Sequence, residues 1–171
     1  PDIKVQSSYV GSFTDTAKGK ENGLLLYNSG ISVVFTAAGQ SGIGVIDAAV
    51  QTGKYVIGVD SDQAEALKES QPEMANVVIT SAIKKIPQNA LHIVQKAMDG
   101  EVNYGKKEYY GLQEEAVGIA DNEFYEKLMS EDDRKLIEEL KEKVKNGEVE
   151  LTETMGLTTE ELVEIRDQVR P

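Results

Sequence analysis

Tyr55-Val56-Ile57-Gly58-Val59-Asp60-Ser61-Asp62-Gln63 decides how this chain folds. An apolar, partly β-branched run ends on a carboxylate, and helix formers follow it. Such a run, bounded by Gly53 and Asp60, is the mark of a buried parallel strand. The expected strand covers residues 54–59, with helices on both of its faces. In open α/β sheets, ligands bind outside the carboxyl ends of the strands. Asp60 therefore stands where a ligand would be met. A carboxylate there either caps the next helix or accepts from two adjacent hydroxyls, as in a ribose diol, with charge-assisted bonds.

Working outward, the same alternation of strand and helix repeats. Residues 3–10 carry the near-alternating β-branched and aromatic pattern of a strand. A loop at 11–15 leads into a helix over 16–28, closed by Ser29-Gly30. A second strand is expected at 31–37. The turn Gly39-Gln40-Ser41-Gly42 opens a helix whose face carries Ile43, Ile46 and Val50, and Gly53 ends it. Beyond Asp60 come a short helix at 63–69, a strand at 76–80, and a helix with Leu91, Val94 and Met98 on one face. Two shorter strands are expected at 108–112 and 116–120. The alternation defines an α/β chain with a doubly wound, mostly parallel sheet.

The C-terminal part differs. Ser130 begins a capping-box-like segment, followed by Leu136, Leu140 and Val144 on one helical face. Thr158 opens another helix with Leu162, Ile165 and Val169 aligned, after a linker at 148–157. Residues 121–171 hold 16 acidic and 8 basic side chains, a net −8 of the total −12, which leaves −4 for residues 1–120. The division expected is an α/β ligand-binding lobe at 1–128 and an acidic helical extension at 129–171.

Composition narrows the function. With 40% hydrophobic residues, 171 residues suit a single cored domain. No run reaches the roughly 20 apolar residues of a membrane helix. The acidic balance disfavours nucleic acid as a partner. Cysteine is absent and His92 is the lone histidine, so a thiolate or histidine-rich metal site is excluded. Asp60, Asp62 and Glu65 do not follow the spacing of a calcium loop. No serine has a histidine base near it in sequence, and no arrangement for activating a nucleophile is present. The expectation is a protein that is not an enzyme and needs no cofactor or metal.

Four further residues join Asp60. Lys84 is expected at another strand end, either as a solvated surface lysine or beside Asp60 as a donor to a sugar hydroxyl. Phe13, in a glycine-flanked loop, is either core or a stacking face for a flat ligand. Gly39, with its neighbour Gln40, lies in a loop that lets backbone approach a ligand. The loop matches neither the dinucleotide fingerprint nor the P-loop.

Four segments in order, YVGSFTDTAKGKE (9–21), VVFTAAGQSGIGVIDAA (33–49), YVIGVDSDQ (55–63) and VVITSAIKK (77–85), resemble the basic membrane protein family. These are substrate-binding lipoproteins of ABC transporters and include purine nucleoside receptors. The likeness runs through residues 3–120, and Asn146-Gly147-Glu148-Val149 resembles the usual family C-terminus. It implies one lobe, the C-terminal one, of a type I periplasmic-binding fold. The N-terminal lobe, the lipid-bearing cysteine and the signal peptide would lie upstream of Pro1. By that resemblance Phe13 stacks on the purine, Gly39 or Gln40 contacts the ligand, and Asp60 and Lys84 hold the ribose hydroxyls. The implied partners are a small ligand and an ABC permease. The implied setting is extracytoplasmic, with the protein anchored to the cell membrane. Two departures bear on ligand identity: Gln40 replaces a usual second glycine, and Phe13 stands where many relatives carry tryptophan. Residues 153–171 extend past the usual end. Competing readings are a regulatory sensor that reuses this fold, and capture of another small ligand such as a sugar.

Overall fold

A computed structural model describes residues 3–149, 151–152 and 154–170. Its frame is a four-stranded sheet in the order β1 (Val33–Phe35), β2 (Tyr55–Asp60), β3 (Val78–Lys84), β4 (Val117–Ile119). The first three strands are parallel, and β4 pairs antiparallel with β3. The chain is thus α/β with a mostly parallel sheet, as the alternation of elements predicts. Between the strands run α1 (Thr16–Asn28), α2 (Ser41–Thr52), α3 (Gln63–Leu67), α4 (Pro72–Ala75) and α5 (Ile86–Met98). After β4 come α6 (Glu123–Leu128), α7 (Glu131–Lys145) and α8 (Thr159–Asp167).

Local chemistry sets these boundaries. Asp15 caps α1 by accepting from the Lys18 amide, and Gly53 closes α2 in the left-handed conformation. Ser130 caps α7, and Thr158 with Glu161 forms a reciprocal capping box on α8. α1 and α2 approach through small residues. A β-carbon at Gly19 would overlap the Ser41 carbonyl, and one at Gly44 would overlap the Thr16 carbonyl. That close approach lets Val45, Ile46, Ala48 and Ala49 of α2 form a buried core with Val56, Leu67, Val78 and Phe124. The buried Tyr27 hydroxyl donates to the Tyr55 carbonyl at 2.9 Å, tying α1 to β2, and burial raises its pKa.

Several expectations need correction. Residues 3–10 are not a strand: Ile3, Val5 and Tyr9 are exposed, and the Val5 amide donates to the Val169 carbonyl. Alternation gives a strand only where a neighbour completes the ladder, and residues 3–10 are not paired in the sheet. Residues 108–112 are not a strand either. Turns between Gly111 and Ala116 and between Leu112 and Glu115 fold the backbone onto itself, and Glu114 accepts from the Gly111 amide. β3 runs to Lys84, beyond the 76–80 expected. The helix α4, begun by Pro72, was not foreseen. β2 is also not covered on both faces. Val56 and Gly58 are buried, while on the other side Tyr55 is exposed and Ile57 and Val59 are only partly buried. The face of α5 bearing Leu91, Val94 and Met98 is exposed as well. Among the described residues, no helix is long and apolar enough to cross a membrane.

Candidate functional site

The carboxyl ends of β1, β2 and β3 open on a cavity of about 880 Å³, within the usual range for small-molecule sites, roughly 300–1,000 Å³. Phe13, Gly39, Asp60 and Lys84 line it together. Gln40 does not: it is the exposed residue before α2, and its side chain makes no capping bond. Four of the five residues singled out from sequence therefore converge on one wall.

Asp60 ends β2 at φ 70°, in the left-handed region. Aspartate tolerates that region better than most residues, yet the conformation costs about 1–2 kcal/mol. The adjoining turn is short, with the Ser61 amide donating to the Val59 carbonyl at 2.9 Å. Helix capping falls to another residue. Asp62 accepts from the Glu65 amide at 3.1 Å, and the Asn122 side-chain amide holds its carboxylate at 2.8 and 2.9 Å. The Asp60 carboxylate is left free to face the cavity. There Lys84 Nζ approaches its Oδ1 to 2.8 Å, with both side chains more than half exposed. An acceptor and a donor of opposite charge thus stand side by side, suited to vicinal hydroxyls.

Phe13 reaches the same cavity from the loop before α1. It is 74% exposed, so it is not a core residue. Its backbone is anchored: the Ser41 amide donates to the Phe13 carbonyl at 3.2 Å, and Ser41 Oγ donates to the Ser12 carbonyl at 2.8 Å. Gly39 makes this approach possible. It sits at φ 57°, and a β-carbon there would lie 3.0 Å from the Phe13 carbonyl oxygen. The glycine loop serves to seat the aromatic.

Sequence reasoning missed other residues of the lining. Tyr109, Gln113, Ile137, Lys141 and Val144 also line the cavity, so α7 of the acidic extension lies against it. Tyr109 had a readable signal. In extended chain, neighbours point to opposite sides; Glu108 and Tyr110 engage Lys96 of α5, leaving Tyr109 to the cavity. Glu108 accepts from Tyr110, from Asn103 at 2.9 Å and from Lys96 at 2.9 Å. These bonds, Tyr110's foremost, lower its carboxyl pKa to about 2. His92 packs edge-on against the Tyr110 ring at 5.3 Å. Among the described residues, no group of three or more histidine or acidic side chains is placed to hold a metal.

Comparison with known proteins gives this geometry a context. Residues 1–154 match the family model Bmp, described as ABC transporter substrate-binding protein PnrA-like. Basic membrane protein D of Borreliella burgdorferi is 40% identical over 124 residues, 71% of this chain and 34% of that protein. The CD4+ T-cell-stimulating antigen of Listeria monocytogenes is 31% identical over 162 residues, 90% of this chain and 44% of that protein. A Lactococcus lactis protein named ABC transporter nucleoside-binding protein BmpA is 36% identical over 128 residues, 69% of this chain and 36% of that protein. The chain thus spans less than half the length of these relatives. Among solved structures, an ABC transporter solute-binding protein from Aeropyrum pernix superposes with a TM-score of 0.71 at 22% identity, covering 94% of this chain and 51% of that one. At that identity the likeness speaks for the fold alone. The family match covers most of the chain, and the chain belongs to the PnrA-like (Bmp) family of ABC transporter substrate-binding proteins.

Proposed function

We propose that this chain is the C-terminal lobe of a two-lobed receptor that captures a purine nucleoside and delivers it to an ABC permease. The observation that carries the reading is the Asp60–Lys84 pair on the wall of a cavity that also holds an exposed phenyl ring. A ribose needs a carboxylate acceptor beside a cationic donor, and a purine needs a flat apolar face. Asp60 and Lys84 hold the ribose hydroxyls, Phe13 stacks on the base, and Gly39 keeps the loop close to the ligand. Gln40, lying off the cavity wall, has no direct part. The N-terminal lobe supplies the other half of the contacts and closes over the site. The receptor is a lipoprotein tethered outside the cytoplasm, and it binds its ligand without chemical change. The name of the Lactococcus relative, a nucleoside-binding protein, supports the ligand class.

The test is calorimetric titration of the two-lobed protein with guanosine, inosine, adenosine and ribose, beside an Asp60→Asn control that keeps the left-handed residue tolerable. Submicromolar nucleoside binding that is lost in the control is the expected result. A folded protein that takes up none of the nucleosides would sink the assignment. Uptake of ribose alone would transfer it to sugars.

A further inference from the structure

We infer that Gln63 and Ser81 are positioning residues for Asp60: they form a latch under the β2–α3 turn that holds its carboxylate toward the cavity. The inference rests on the reading of Asp60 as a diol acceptor, and it adds residues that do not line the cavity themselves.

Asp60 occupies a backbone conformation that a free chain rarely adopts, so something must impose it. Two hydrogen bonds close on either side of it. The Val59 amide, just before Asp60, donates to Gln63 Oε1 at 3.0 Å. The Gln63 amide, just after the turn, donates to Ser81 Oγ at 3.2 Å. Gln63 thus spans the turn from helix to strand, while Ser81 ties it to the neighbouring strand. Ser81 is fully buried and pairs in register with Gly58. Three residues further along β3 stands Lys84, the partner of Asp60. One short segment of β3 therefore fixes both the acid and its counter-charge.

Gly58 completes the latch. It has an ordinary negative φ, so conformational freedom does not explain it. A β-carbon there would lie 2.5 Å from Ser81 Oγ and would overlap Gln63 Oε1. The absence of a side chain at 58 leaves the room in which the two polar groups meet. Gly58, Gln63 and Ser81 form one unit, separate from the α3 cap made by Asp62.

Removing the latch frees the turn, and Asp60 relaxes out of its left-handed conformation. Contacts that Asp60 makes to a diol weaken, while stacking on Phe13 is untouched. The experiment compares guanosine with 2′,3′-dideoxyguanosine, which lacks the vicinal diol, on wild type, Gln63→Leu, Gln63→Glu and Gly58→Ala. Hydrogen exchange at the Val59 amide is followed in the same proteins. The expected result is a preference for guanosine in wild type that falls about tenfold in Gln63→Leu and Gly58→Ala, a change of roughly 1.4 kcal/mol. Gln63→Glu, which keeps the acceptor, restores it. Binding of dideoxyguanosine stays the same in all four, and Val59 exchange is fast only where the preference is lost.

A preference that survives Gln63→Leu, or equal weakening toward both ligands, overturns the positioning role. So does a wild-type Val59 amide that exchanges without protection, whatever the ligand result. A protected Val59 in a wild type that does not discriminate the two ligands overturns the diol reading instead, and leaves the latch a feature of the turn alone.

Discussion

Lys84 Nζ lies 2.8 Å from Asp60 Oδ1, joining the ends of two parallel strands in a pair that is more than half exposed. Exposed ion pairs contribute about 0–1 kcal/mol to stability. The pair therefore adds little to holding the fold. Replacing Lys84 by Met should leave urea stability within about 1 kcal/mol of wild type and weaken nucleoside binding tenfold or more. Paired denaturation and titration curves check both halves. A large loss of stability with unchanged binding would return the pair to a structural role.

On the proposed reading, Phe13 serves recognition of the base and Asp60 recognition of the sugar. Phe13 is exposed and its backbone is held independently by Ser41. Phe13→Ala should cost about 1–3 kcal/mol of nucleoside binding, the range for a base stacked on an aromatic, with little change in melting temperature. Phe13→Trp should preserve or improve binding. Ribose, which offers no aromatic face, should be indifferent to either change. Titration of the two ligands against both variants decides the point.

Gly39 acts on Phe13 from below. A methyl group at that position meets the Phe13 carbonyl oxygen at 3.0 Å and must also adopt positive φ. Gly39→Ala should destabilise the protein by about 1–2 kcal/mol and displace the loop that carries Phe13. Thermal unfolding would show the first effect. A fall in purine affinity larger than the fall in ribose affinity would show the second.

Most of the parallel frame was legible because local signals and tertiary demand agreed. Thr16–Asn28, the glycine that ends α2 and the caps at Ser130 and Thr158 all follow from short-range chemistry. Asp60 was legible because strand length and strand-end position together define a sheet edge. What was not legible depends on neighbours. Residues 3–10 have strand character but no paired strand beside them, and the chain from Gly111 to Ala116 closes into turns through its backbone and the Glu114 carboxylate. Ile137 and Lys141 reach the cavity only because α7 folds back against it, which no local pattern encodes. Gln40 stood beside the right residue, yet it does not line the cavity.

The last prediction concerns acid. Glu108 links the loop carrying Tyr109 to α5 through Lys96, Asn103 and Tyr110. Its carboxyl titrates near 4.5 in an unstructured chain and at about 2 in the folded protein. Because the folded value is the lower one, the folded state favours the ionised form. The stabilisation is complete above pH 4.5 and is lost as pH falls toward 2. Glu108→Gln should therefore be less stable than wild type at pH 6, and the two curves should converge as the pH approaches 2. Urea denaturation at pH 6, 3.5 and 2.5 measures the difference. Since Glu108 neighbours Tyr109, the same acid range should also loosen the cavity lining there, seen as faster amide exchange across residues 108–112. Parallel curves at all three pH values would mean that the clasp contributes nothing through its charge.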